Sequence, residues 1–351
     1  IASWGFARPA LQSATYDGTM HCFPELAPLN HGVVRAINIV SEKGTCVDVE
    51  EPTPVTGYCS GAYEKVDCVT MSCWGQALQK VDPTRVHAAT VNLQNFCTGG
   101  VHPKTGLDFV SYLWLEGGQG ARAYADGNSF YMMIFIGGAS NQPNETLERW
   151  YPMYYTSTEA EVDSCGDGEF RGGFGLSRNF DVWGDTELVV LGDRESVGPP
   201  GLAGGTNGGP NILIRNPGTP HEQNLGMFTS KAILKKGDKV YFASNGGGGY
   251  GLPWMRKPES VLEDVIDELL SLDKARAVYG VAIEAVDPDA LDYRIDAEET
   301  RRLRDALSAE DERARGTAPF EVNPIGEELF HTPGELGTSD GAPGPLPGEA
   351  A

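Results

Sequence analysis

Several things are absent from this 351-residue sequence, and each absence removes a class of function. No apolar run approaches the roughly 18 residues that a bilayer-spanning helix needs, so a membrane-embedded chain is not expected. Basic residues are scarce. Against 49 Asp and Glu stand 27 Lys and Arg, and the net charge of −22 disfavours nucleic acid and anionic membrane surfaces as partners. No G-x-x-x-x-G-K-[ST] occurs, so the chain has no P-loop of its own. H-E-x-x-H, C-x-x-C and G-x-S-x-G are also missing, which removes the common zinc-protease, redox and serine-hydrolase signatures. No signal peptide is visible, and the first residue is Ile1, so the native N-terminus is expected to lie upstream. Seven cysteines make an odd number with no framework spacing. Cys68, Cys73 and Cys97 sit in apolar surroundings, and reduced, buried thiols in a cytoplasmic protein are the expectation.

Glycine, by contrast, is abundant, and it is concentrated at Gly246, Gly247, Gly248, Gly249 and Gly251, interrupted by Tyr250. Ordering polyglycine has a high entropic cost, so the run points to a place where something must approach the main chain closely. Gly246, Gly248 and Gly251 have G-x-G-x-x-G spacing, which invites a dinucleotide reading. That reading requires a helix opening at the last glycine, and Pro253-Trp254 intervenes. A tight structural or site-lining loop fits better.

Along the chain, Val33 to Val40 alternates and predicts a strand, turned by Ser41–Gly44 into a second one at Thr45–Val49. Helical spacing from Tyr63 to Val81 puts Val66, Val69, Cys73, Ala77 and Val81 on one face, with a stop at Asp82-Pro83. Asp126-Gly127 predicts a hairpin between Arg122–Ala125 and Asn128–Ile136. Glu187–Leu191 reads as a strand. Lys231–Leu234 and Lys239–Ala243 read as a hairpin around Lys236-Gly237-Asp238. Helices are predicted at 258–270 and 272–279, with Pro258 in a first turn, Ser271 as an N-cap and Gly280 as a stop. A third helix opens at Asp296 with Glu299 closing a capping box. Beyond Gly316 the composition turns to Gly, Pro and Glu, which cannot bury enough apolar area to order itself. The expected fold class is therefore α+β: a strand-rich, glycine-rich core in residues 1–316, C-terminal helices, and a disordered acidic tail at 317–351.

Few constellations carry chemistry. Asp163-x-Cys165-x-Asp167-Gly168 is not a calcium loop, because Phe174 stands where a bidentate glutamate is needed. Tight turns ending at Arg171-Gly172-Gly173 are one reading. The other has Asp163, Ser164 and Arg171 facing a reaction chamber or a partner, where carboxylate and guanidinium would orient an anionic substrate. The six histidines show no metal spacing, and no metal ligand is assigned within the chain.

The glycine run does resemble a known signature. Lys236-Gly237-Asp238, the GGGGYG loop and Ala275-Arg276-Ala277-Val278-Tyr279-Gly280-Val281 are similar to the C-terminal part of the hydantoinase B/oxoprolinase family. Asn30-His31-Gly32, Glu116-Gly117-Gly118-Gln119-Gly120-Ala121, Asp126-Gly127, Glu148–Pro152, Asp163–Gly168, Arg171-Gly172-Gly173 and Gly201–Gly205 agree in order. The resemblance implies a subunit of an ATP-dependent enzyme that opens a cyclic amide such as 5-oxoproline, a hydantoin or a lactam. It further implies a hetero-oligomer with a hydantoinase A-type ATPase partner that binds the ATP. A divalent metal is implied too, with ligands in an N-terminal half that this sequence lacks. Biotin-independent ketone carboxylation is an alternative within the family, and a non-catalytic assembly module is an alternative outside it. The candidate site residues are Asp163 and Arg171 as catalytic groups, and Gly246, Gly247, Gly248, Gly249, Tyr250 and Gly251 as a substrate or interface loop.

Overall fold

The computed structural model describes residues 5–26, 28–53, 55, 62–90, 93–131 and 141–317. Nearly all of the expected tail lies outside the described residues, as do Cys59, Phe135 and most of the expected strand Asn128–Ile136. Tertiary contacts divide the chain into Ile1–Leu307 and Ser308–Ala351. Six cysteines among the described residues carry free thiols; Cys46 and Cys73 are exposed, whereas Cys22, Cys68 and Cys165 are buried. None of the described helices is long and apolar enough to cross a membrane.

The chain opens with α1 (Arg8–Cys22), α2 (His31–Ala36) and α3 (Glu64–Leu78). Pro at the start of α1 costs no hydrogen bond there, because the first-turn N–H groups lack intrahelical partners. α2 replaces the strand predicted from Val33 onward. Asn30 caps it, accepting from Gly32 N at 2.9 Å, and the cap outweighs the β-branched pair Val33-Val34. α3 forms where predicted but turns a different face inward. Its buried residues are Glu64, Asp67, Cys68, Met71 and Gly75, while Val69 and Val81 are exposed. The predicted face counted apolar side chains; the real one is set by α1, whose Leu11 and Ala14 pack near Tyr63 and whose Cys22 meets Cys68 and Met71.

β1 (Gln94–Val101), β2 (Asp108–Leu115), α4 (Asn144–Trp150), β3 (Met153–Ala160), β4 (Leu176–Val182), β5 (Thr186–Leu191), β6 (Ile212–Arg215), β7 (Gln223–Asn224), β8 (Phe228–Leu234) and β9 (Lys239–Ala243) follow. They build two antiparallel sheets, of order β2-β1-β5-β8 and β3-β4-β9-β6-β7. The sheets pack face to face over one apolar core. Phe96, Leu113, Leu188, Val190 and Leu234 come from the first; Met153, Phe180, Val182, Leu213, Val240 and Phe242 come from the second. Phe96 sits at the centre, stacked on Phe180 at 6.3 Å and edge-on to Phe242 at 5.3 Å. The alternation in β5, with every second residue buried, is what a one-sided sheet requires.

β8 and β9 do not pair with each other, contrary to the predicted hairpin. β8 pairs with β5 in one sheet, and β9 lies between β4 and β6 in the other. The Lys235–Asp238 turn, with Gly237 at φ +97°, crosses from sheet to sheet. Alternation specifies which face of a strand is buried and leaves its neighbour open.

The chain then forms α5 (Pro258–Ile266), α6 (Leu272–Ala277), the hairpin β10 (Ile283–Asp287) and β11 (Asp292–Ile295), and α7 (Ala297–Thr317). Ser271 caps α6 by accepting from Lys274 N, and Gly280 at φ +63° ends the run. Asp296 caps α7 through the N–H groups of Glu298 and Glu299. The reciprocal half of the expected capping box is absent, because Asp296 N donates to Ala282 O and the Glu299 carboxylate binds Arg276 and Arg302. A second core of Val261, Val265, Leu270, Ala275, Tyr279 and Val281 joins these helices. The architecture is mixed α+β with antiparallel sheets.

Candidate functional site

Between the sandwich and the C-terminal helices lies a region with no regular secondary structure and very dense main-chain packing. Residues 245–249 run through it fully buried. Their successive N–H groups leave in several directions: Gly246 donates to Ser164 O, Gly247 to Gly173 O, Gly248 to Ala89 O and Gly249 to Thr206 O, at 2.8–3.1 Å. Carbonyls are taken in turn, Asn245 O by Gly118 N, Gly247 O by Gly166 N, Gly248 O by Ala121 N and Gly249 O by Leu202 N. A strand in a flat sheet has neighbours on two sides only, whereas this segment is surrounded.

Such packing excludes side chains. A Cβ on Gly247 would lie 2.1 Å from Gln119 O, and one on Gly118 would lie 1.8 Å from Gly173 O. The glycine motifs scattered along the sequence are thus one object, a bundle of extended glycine segments bonded main chain to main chain. The GGGGYG run is its central thread. Gly246, Gly247, Gly248 and Gly249 have their backbone groups engaged within the bundle. Tyr250 is half-buried at its rim, bridged to Phe170 and Leu202, and Gly251 follows at φ +74°.

Asp163 and Arg171 flank one bundle segment and both reach the C-terminal helices. Asp163, at φ 59°, accepts from Ser271 N at 2.9 Å through Oδ1, just ahead of α6, and its carbonyl accepts from Lys274 Nζ at 2.9 Å. Arg171 binds Asp264 on α5 through Nε at 2.9 Å and Nη2 at 2.8 Å, and lies 4.4 Å over the Phe174 ring. The structure does not bring the two into one pair. They hold different helices.

Around Arg171 the structure assembles residues that sequence reasoning had not grouped. Arg256, 4% exposed, binds both oxygens of Asp126 at 2.7 and 2.8 Å and Asp264 Oδ2 at 2.9 Å. Asp126 Oδ1 also accepts from Arg171 N at 2.9 Å. Two guanidinium and two carboxylate groups therefore form a closed, neutral network. Burial alone lowers the tendency of Arg171 and Arg256 to hold their protons, and the carboxylates of Asp264 and Asp126 respectively more than offset it. Asp126-Gly127 is consequently not a hairpin turn. The tight turn comes earlier, between bridged Arg122 and Ala125, and Gly127 enters the bundle by donating to Arg171 O. A small cavity of about 190 Å³, lined by Asp126, Glu169, Met255, Arg256, Lys257 and Ser260, opens beside this network.

A parallel contact ties α6 to the bundle. Asp167 receives Lys274 Nζ at 3.0 Å and the fully buried Tyr279 hydroxyl at 2.9 Å. Burial, then the neighbouring Cys165 and Asp167, raises the Tyr279 phenol far above its usual range. The Cys165 thiol is pushed up to about 12, chiefly by burial, so it is a packed group and not a nucleophile.

Deeper in the sandwich, Arg178 on β4 faces Glu116 at 3.8 Å, with Nε and Nη1 unpartnered, and the buried hydroxyl of half-buried Tyr155 and the side chain of Asn245 are also unpartnered. Burial raises the Glu116 carboxyl and Arg178 draws it back. These open donors fit an anionic oxygen or ordered water. Glu116 opens the Glu116-Gly117-Gly118 motif, which was the available signal. Nothing in the local pattern of β4 marks Arg178.

The fold is of the mixed α+β class, organised around a bundle of close-packed main chain. The Hydantoinase B/oxoprolinase profile matches residues 4–253, and the chain belongs to that family. It is 29% identical over 296 residues to the B-type subunit of a putative D-/L-hydantoinase from Pseudomonas sp. (strain NS671), covering 84% of this chain and 47% of that protein. The crystal structure of the ATP-dependent caprolactamase from Pseudomonas jessenii superposes with TM-score 0.68 at 26% identity, over 83% of this chain and 50% of that one. A nucleotide-free acetone carboxylase is similar in fold, with TM-score 0.74 at 18% identity over 90% of this chain and 46% of that one. The chain spans about half the length of the curated relatives it matches.

Proposed function

We propose that this chain forms part of the B-type subunit of an ATP-dependent amidohydrolase that opens a cyclic amide. The observation that carries the reading is the family match together with the caprolactamase likeness, both of which run through the glycine bundle. An unactivated amide is resistant to water. Phosphorylation of its oxygen by ATP creates a leaving group that hydrolysis can expel, and an acidic chain without a P-loop suits the half of such a machine that does not bind nucleotide. The hydantoinase A-type partner would bind the ATP.

In this reading the present residues serve as scaffold. The bundle is a rigid wall, and the Asp126–Arg171–Arg256–Asp264 network locks α5 onto it. The divalent metal implied by the resemblance would be held by ligands outside this sequence. The test is reconstitution with an ATPase partner and the remaining part of the subunit, followed by assay on 5-oxoproline, hydantoins and lactams. ATP-dependent ring opening is expected. Turnover that instead requires bicarbonate and a ketone would replace the hydrolase with a carboxylase, and no ATP-dependent turnover on any of these would leave an assembly role.

A further inference from the structure

α1 carries Asp17 and His21 one turn apart, and α3 brings Asp67 across to them. One ligand atom from each of the three lies within 4.8 Å of the others. His21 Nδ1 is 3.0 Å from Asp17 O and 3.9 Å from Asp17 Oδ1, so the imidazole is already oriented along its own helix. Asp67 is 0% exposed, and neither of its carboxylate oxygens has a hydrogen-bond partner. Asp17 Oδ2 is likewise buried and unpartnered. Gly18 permits the approach, since a Cβ there would lie 2.6 Å from Asp67 Oδ1.

A buried carboxylate without donors is costly. Protonation removes the charge, yet it leaves the other Asp67 oxygen without a donor. A cation satisfies both oxygens and reconciles the two acids. Donors around one ion sit about 3.4 Å apart at metal–ligand distances of about 2.1 Å. Torsion of the half-exposed Asp17 and His21 side chains supplies that adjustment.

We propose that Asp17, His21 and Asp67 bind a divalent cation of the zinc or manganese class, joining α1 to α3. One imidazole with two carboxylates is a mixed nitrogen–oxygen set that suits these ions better than magnesium or calcium. The site uses only this chain's residues and does not rest on the proposed reaction.

The chelator-treated 351-residue chain would be titrated with Zn²⁺ and with Mn²⁺ by calorimetry, alongside thermal unfolding with and without the ion. Saturable binding of a single ion is expected, with a rise in Tm. His21→Ala and Asp67→Asn should each weaken it by about tenfold or more and abolish the Tm response. His21 is partly exposed, so His21→Ala decides the matter if Asp67→Asn does not fold. Absence of saturable binding, or a His21→Ala chain that binds as tightly as the parent, overturns the proposal.

Discussion

Gly247 shows how much a single hydrogen atom in place of a methyl can matter. Its missing Cβ is the space that Gln119 O occupies, and the obstacle is backbone that cannot rotate away. Gly247→Ala should therefore lower stability by about 3 kcal/mol or more, the upper range for overpacking. Gly218 makes the control. It sits at φ +69° in a surface turn with nothing within 4 Å of an added methyl, so Gly218→Ala meets only backbone strain of about 1 kcal/mol. Urea midpoints compare the two. Equal losses would refute the account of the bundle as an object built on exclusion of side chains. Arg256 makes a related point at the scale of one residue: burying a guanidinium is tolerable because Asp126 and Asp264 meet it in bidentate and single contacts.

At the scale of elements, α6 shows how short helices are held. Six residues cannot sustain a helix alone. Ser271 caps it from within, while Asp163 reaches Ser271 N from the bundle and Lys274 returns to the carbonyls of Asp163 and Cys165. Asp163→Ala removes one acceptor at the entrance to the helix and should cost about 1 kcal/mol. Because Ser271→Ala acts on the same turn, the double variant should deviate from the sum of the singles. A double-mutant cycle in urea measures this, and strict additivity would mean that Asp163 does not support the helix start.

The whole molecule carries a pH dependence that its excess of acids does not explain by itself. The half-buried His87 imidazole, its Nδ1 sealed and unpartnered, is brought down to about 4 by burial, then by Arg122 and His21. Its folded value thus lies below the ordinary 6.5, and between the two the unfolded chain binds the proton better. The contribution of His87 is complete above pH 6.5 and is lost as pH falls toward 4. His87→Gln should flatten the stability curve across that window, as measured by unfolding at a series of pH values; an unchanged slope would place the acid sensitivity elsewhere.

The chain's own pattern determined what is local or repeated. Glycine runs announced close-packed main chain because no other residue fits there. Ser271, Pro258, Gly280 and Asp296 announced helix ends because capping is settled within a few residues. Alternation located β9, and β5 shows the period of two that burial on one face imposes. Tertiary structure alone decided who meets whom. It chose opposite sheets for β8 and β9, selected the inward face of α3, and assembled Asp126, Arg171, Arg256 and Asp264 from separate segments, with Arg256 reaching back 130 residues to Asp126. It also set Asp67 against Asp17 and His21. The physical reason is common to all of these. A cap or a turn is satisfied by neighbours in the chain, whereas a buried charge or a sheet edge is satisfied by whatever distant segment packing delivers, and no local pattern encodes that partner.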